Sequence, residues 1–294
     1  MKGIFWAFLA VLLSLPTKSA ANPVDELVEI KANVPLLIKS DRAYLLFRSS
    51  SGGMQPNFLR IPTAAELEAY EQAKRDAFVK IEPTLIKERE DQILKQSEAK
   101  NIGTVFKGVI PPVPSLENFR FSYFGIKNRQ NIDTGRAYIK AKPANTFLVE
   151  AVPGSYVLYG AGWQAATSTC LCLGTIGFVA EPGVITDLGE IIIAYAHEKS
   201  DRPELAGETG LGPSVNMGHN LLFAVAVKPA QDATNAPATL PKDKIRSANY
   251  QAVGKYVTSA VFSINRLAPI PGILAYENGK VIDVKTGKEA LGAQ

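Results

Sequence analysis

The sequence predicts a mainly β protein, an antiparallel β-sandwich or open barrel with a helical insertion over residues 63–101. Three observations lead there. From Phe119 onward, short strand-like runs alternate with turn residues at close spacing. A helix-start signature at Thr63 opens the one long stretch of helical periodicity. Two cysteines are too few for a disulfide framework, so a chain with 46 % hydrophobic residues must be held by packing.

In chain order, Met1–Gly3 is a short basic segment, Ile4–Leu15 is apolar, and Pro16 precedes Ser19-Ala-Ala21. That pattern predicts a secretory signal peptide cleaved after Ala21. The apolar run of about 12 residues is shorter than the roughly 20 that a spanning helix needs. The expected mature chain, residues 22–294, is a single β-rich domain in the periplasm or secreted, with no transmembrane segment. Losing Lys2 and Lys18 takes 32 basic residues to 30, against 28 acidic ones, a net charge of +2. So small a charge without clusters leaves no electrostatic footprint for nucleic acid.

Residues 22–61 read as extended, with Ala43–Arg48 rich in strand formers. Thr63-Ala-Ala-Glu66 is a capping-box pattern, in which each side chain satisfies a backbone N–H of the other residue. Leu67, Tyr70, Ala73, Ala77, Phe78 and Ile81 then recur at helical spacing. Pro83 cannot donate to a helical ladder, so it should kink this helix or start a second one running to about Lys100. The charged run Lys87–Asp91 is read as a solvated helix face, with a partner surface as the alternative. Ile110-Pro-Pro-Val-Pro114 is an extended connector.

Strand-like runs follow at Phe119–Phe124, Arg136–Lys140, Phe147–Val152, Ser155–Tyr159, Thr169–Ala180 and Val184–Ala194, with Pro153-Gly154 and Pro182-Gly183 as turns. Their close spacing argues antiparallel pairing of neighbours. After a polar, glycine-rich loop, Glu198 to Asn220, come the runs Leu221–Val227 and Tyr256–Ile264, with a loose connector over Pro229–Pro241 between them. Asn278-Gly279, between two alternating runs in Ile273–Val284, predicts a two-residue hairpin.

Chemistry centres on Cys170 and Cys172. A lipid anchor is excluded by position, because such a cysteine stands at the cleavage point. A disulfide suits an oxidising compartment, but positions i and i+2 of a regular strand lie about 6.6 Å apart, at the upper edge of what a bridge tolerates. It would require a bend, for which Gly174 is available. A metal site would have to recruit His197 and His219, the only histidines, neither in a ligand-spaced motif. As a central strand, Thr169–Ala180 would be apolar on both faces and its cysteines plain core. No nucleophile elbow, H-E-x-x-H, phosphate loop or dinucleotide fingerprint is present, and no cofactor is called for. Asp187 and Glu190 are read as turn-capping carboxylates, and the loop near Asn216 and His219 is the candidate binding segment.

Phe147-Leu-Val-Glu-Ala-Val-Pro-Gly-Ser-Tyr-Val-Leu158, Cys170–Phe178 and Glu181–Gly189 together resemble uncharacterised exported proteins of alphaproteobacteria. More distantly they are similar to small bacterial envelope β-sandwich domains sharing a Pro-Gly-x-Tyr strand turn. The resemblance covers roughly residues 119–194 and implies a fold and a compartment. It carries over no functional residue. The expected function is an exported, non-catalytic binding or structural role in the envelope, with an envelope protein or a small ligand as partner. The alternatives are a metal-binding or thiol-redox protein built on Cys170 and Cys172, and a hydrolase with dispersed catalytic residues.

Overall fold

The computed structural model describes residues 27–33, 35–50, 55–123, 125, 129–131, 137–162, 168–195, 204, 223–232, 236–255 and 263–292. The expected signal peptide lies outside them. The chain is mainly β. One sheet joins β1 (Val28–Glu29), β5 (Asn145–Ala151), β2 (Ala43–Ser49), β9 (Ile185–Tyr195) and β10 (Phe223–Lys228) in that order, with β11 (Ile245–Ser247) also on β9. A second runs β12 (Gln251–Val253), β8 (Thr175–Ala180), β6 (Gly154–Gly162), β3 (Gln55–Arg60), β4 (Arg129–Asn131), with β7 (Ser168–Cys170) bridging β6 and β13 (Ser263–Ile264). A third consists of β14 (Leu274–Glu277), β15 (Lys280–Asp283) and β16 (Lys288–Glu289).

Pairing is not purely antiparallel: β2 with β9, β9 with β11 and β7 with β13 run parallel. Partners so distant in sequence need no hairpin, and the spacing argument applies only to sequence neighbours. It fails even for some of those. β5 and β6, joined through Val152-Pro153, lie in different sheets, as do β8 and β9, joined across Pro182-Gly183. The primed turns that fold a two-residue hairpin need positive φ at their first central residue, and proline is locked near −65°. Pro-Gly therefore turns a corner between sheets. At the first corner the Tyr156 hydroxyl donates to the carbonyl of Val152 (2.7 Å), which ties the Pro-Gly-x-Tyr motif shut.

The two large sheets share one core. Phe47 stacks on Phe147 of the same sheet (centroids 5.0 Å) and meets Phe58 of the other edge-on (6.5 Å). Phe58 in turn contacts Phe178 (5.9 Å), which stacks on Tyr156 and meets Tyr250. Each such ring pair contributes about 1 kcal/mol beyond the area it buries.

The helical insertion sits between β3 and β4, which pair antiparallel (Asn57 with Asn131, Leu59 with Arg129), so it enlarges a hairpin loop. The helix α1 (Ala64–Asn101) begins with the expected capping box: the Glu66 N–H donates to Thr63 Oγ1, and the Thr63 N–H donates to Glu66 Oε2. It runs unbroken through Pro83, and no second helix starts there. The N–H that proline lacks would have reached the carbonyl of Val79. Val79 is 68 % exposed, so water can take that carbonyl. The helix ends at Ile102, and Gly103 (φ 70°) donates back to the Lys100 carbonyl.

None of the 38 helical residues is buried. The chain returns antiparallel along α1 as an extended strap. Phe119, Phe121 and Tyr123 alternate onto the helix, with Phe78–Phe119 at 5.5 Å and Tyr70 in contact with both Phe121 and Tyr123. The run expected as a strand at Phe119–Phe124 thus has strand periodicity but joins no sheet over 119–123. Likewise the described part of the run Arg136–Lys140, residues 137–140, supplies a single bridge, Ile139 with Thr146. The Asn278-Gly279 hairpin forms as expected, with φ of 49° and 75°.

The helix is fastened to the sheets at its first turn. Arg60, 1 % exposed at the end of β3, places both terminal nitrogens on Glu66 (2.9 and 2.6 Å). The hydrogen bond from Arg60, reinforced by the Thr63 N–H, outweighs desolvation and holds Glu66 down at about 2, from an ordinary 4.5. A lowered acid stabilises the fold above its unfolded pKa and ceases to do so as pH falls through its folded one. Stability should therefore drop as pH is lowered from about 4.5 towards 2, and Glu66→Gln should remove that part of the acid sensitivity. At neutral pH the same variant should cost about 3 kcal/mol in urea unfolding, because it takes the carboxylate charge away from a buried guanidinium. A variant as stable as the native chain would show that the pair does not hold the junction.

Candidate functional site

The cysteine run is not one strand. β7 ends at Cys170, residues 171–174 turn, and β8 starts at Thr175. The bend brings the two Cα atoms to 5.2 Å, inside the range a bridge tolerates, and Cys170 and Cys172 form a disulfide with each other. Both are buried, at 0 and 3 % exposure. Gly174 (φ 150°) makes the bend possible and is covered from above: a Cβ there would lie 2.7 Å from the Tyr276 ring. Tyr276 donates to the Leu267 carbonyl (2.7 Å) beneath the Arg266 guanidinium, 4.2 Å from its ring centre, so the third sheet docks on the cysteine turn.

As long as the bridge stands, neither sulfur can be a thiolate ligand. His197, His219 and Asn216, with nearly all of the loop from Glu198 to Asn220, lie outside the described residues. Among the described residues no group of three or more His, Cys, Asp or Glu side chains is placed to hold a metal ion.

Asp187 has a local structural task, as its position suggested. Its Oδ1 accepts the Gly189 N–H (2.8 Å) and shapes the bulge at which β2 and β9 change register between Leu46 and Arg48. Gly189 has φ of 80°, and a Cβ there would strike the Lys228 carbonyl. Tyr250 closes the same bulge by donating to the Leu188 carbonyl (2.7 Å). Asp187 is 1 % exposed and its Oδ2 has no hydrogen-bond partner. Burial pushes its carboxyl up, against the Gly189 N–H and the charge of Arg48. Burial, with the Asp187 charge added, pushes the Tyr250 hydroxyl well up also, so it remains a donor.

A surface groove of about 560 Å³ opens at the root of the helix. Val157, Gly177 and Val179 of β6 and β8 form one side, and Arg246, Gln251 and Val253 of β11 and β12 the other. Gly177 keeps it deep: a Cβ there would approach the Tyr156 carbonyl to 3.2 Å and Val253 to 3.3 Å. Val179, 57 % exposed, offers apolar contact, while one Arg246 nitrogen is already held by the carbonyls of Asp243 and Ile245. The volume suits a small molecule or a short peptide segment. Sequence reasoning missed it, because its walls are over 60 residues apart in the chain and meet only through the β8–β12 and β9–β11 pairings.

The other exposed feature is the arm formed by α1 and its strap. Ile86, Ile93 and Leu94 on the helix and Ile102, Val105, Val109 and Val113 beyond it are all exposed, from 37 to 83 %. Exposed aliphatic side chains are thus gathered on this segment more than elsewhere among the described residues. No described helix is long and apolar enough to cross a membrane.

Comparison of the chain with protein families, with curated proteins and with solved structures finds no match.

Two measurements probe the interior chemistry. Thiol titration of the unreduced chain in denaturant should find no free thiol, and two after reduction; free thiols beforehand would reopen the metal and redox readings. An acid whose folded pKa is raised loses stabilising influence as pH rises through that value. The stability of Asp187→Asn relative to the native chain should therefore increase as pH rises above the ordinary carboxylate value of about 4. A difference that stays flat would show that Asp187 is not buried as a strained charge.

Proposed function

We propose that this is an exported, envelope-associated β-sandwich protein that acts by binding and not by catalysis, with α1 and its strap as the docking arm. One observation carries the reading: a helix of 38 residues, none buried, is inserted in a hairpin of an otherwise well-packed β body. A helix draws its stability mainly from packing an apolar face. This one packs one side on the strap through Tyr70 and Phe78 and leaves Val79, Ile86, Ile93 and Leu94 in solvent. Apolar surface held out on a long projection is best explained by a partner that covers it. The signal-peptide pattern at residues 1–21 and the likeness to exported alphaproteobacterial proteins support the compartment. The sandwich form is supported by the core that the two large sheets share.

The test is photo-crosslinking in cells, with the probe at Ile86 or Val105 on the arm and at Val179 in the groove. The mature chain should begin at Asn22 in the envelope fraction, and the arm positions should give a discrete protein adduct that a surface position such as Lys285 does not. Retention of residues 1–21 in a cytosolic product would overturn the compartment. Adducts confined to Val179 would move the binding function from the arm to the groove.

A further inference from the structure

We propose that the arm pairs with the arm of a second copy of this chain, antiparallel, about a two-fold axis at Ile86. This names the occupant of the docking arm, so it rests on the arm being an interaction element but not on export. Val79, Glu82, Ile86, Arg89 and Ile93 stand at i, i+3, i+7, i+10 and i+14, one stripe along the helix. The strap's ring contacts lie on the adjoining face, at Tyr70 and Phe78, so Glu82 and Arg89 form the edge of the stripe nearer the strap and Val79, Ile86 and Ile93 the edge farther from it. The three aliphatic members are 68, 42 and 37 % exposed, and Glu82 and Arg89 are partly exposed.

Read backwards, the stripe is aliphatic, basic, aliphatic, acidic, aliphatic. Turning a second copy end for end therefore sets Val79 against Ile93, Ile86 against itself, and Glu82 within one residue of level with Arg89, on both sides of the axis. The surface is self-complementary, as a two-fold interface requires. A parallel, in-register pair would instead face Glu82 with Glu82 and Arg89 with Arg89, which like-charge repulsion disfavours. Among the described residues neither charge makes an ion pair. A carboxylate from the second copy arrives at the Arg89 guanidinium.

Along the helix axis this pairing leaves room at both ends. With the axis at Ile86, Asn101 of one copy falls level with Glu71 of the other. That leaves the capping residue Thr63 about 12 Å beyond the partner's helix end, at about 1.5 Å per residue. Three aliphatic layers and two ion pairs make a small interface, so the dimer should be weak and concentration-dependent.

Sedimentation equilibrium of the mature chain should show a monomer–dimer equilibrium. Each single reversal, Glu82→Arg or Arg89→Glu, puts like charges together at two places and should weaken association at least about tenfold, while the double reversal restores the native value to within about threefold. Circular dichroism checks that the helix survives in each variant. As a second measurement, mixing V79C with I93C chains under oxidising conditions should give an intermolecular crosslink that neither variant gives alone.

A native chain still monomeric at about 500 μM overturns the proposal, since mass action would populate even a weak dimer there. So does a double reversal that stays dissociated, or a V79C chain that crosslinks to itself. If the chain is monomeric while arm probes still capture another envelope protein, the docking role survives without self-pairing. If arm probes capture nothing as well, both readings fall.

Discussion

A guanidinium buried to 1 % exposure at the end of a strand is tolerable only if its charge is answered, and Arg60 sets both terminal nitrogens on the Glu66 carboxylate. To reach it, Glu66 must be the third residue of a helix whose cap is Thr63, because only there can the carboxylate bridge Arg60 and the Thr63 N–H together. The pair thus fixes where α1 begins and how it leaves the second sheet. Everything along the arm, from the Tyr70 and Phe78 ring contacts to the exposed stripe at Val79, Ile86 and Ile93, takes its placement from that junction. Below it, the aromatic chain from Phe147 through Phe47, Phe58 and Phe178 to Tyr250 holds the two sheets that present the strand.

Local signals in the sequence were legible where a motif settles its own geometry. The capping box and the Asn278-Gly279 turn each satisfy backbone groups within a few residues, and each formed where its residues stand. Pro83 starts no second helix, because the cost of a lost helical bond depends on whether its carbonyl partner is wet, and the sequence does not say which face of α1 is open. Phe119, Phe121 and Tyr123 misled because strand periodicity reports an alternating surface, not the nature of what it packs against. The Pro-Gly turns misled in a more general way: a short connection restricts how far the chain travels, but only backbone φ decides whether it folds back in one sheet or crosses to the next.

The candidate sites divide similarly. Asp187 was legible as a turn carboxylate because its acceptor task lies two residues away, at Gly189. The cysteine pair was half legible: its spacing called for a bend, Gly174 offered one, and the bridge formed on that bend and not within a strand. The groove was illegible, since Gly177 and Val253 become neighbours only through strand pairing. The arm stripe stands between these. Its residues are plain in the sequence, but that Val79, Ile86 and Ile93 are bare depends on the strap choosing the adjoining face.

Because the insertion leaves from β3 and returns at β4, its two ends stand on one hydrogen-bonded ladder, about 5 Å apart. The body therefore closes the same hairpin whether the excursion is long or short, and arm length becomes a variable independent of the core. Seven helical residues advance about 10 Å, which about three extended residues of the strap recover. Lengthening or trimming by that ratio at the far end of the arm leaves the rings seated on the helix while moving the tip. The architecture is a reach adjuster: the same β body can set the distance between itself and whatever the arm engages by insertions and deletions alone, without altering a single core contact.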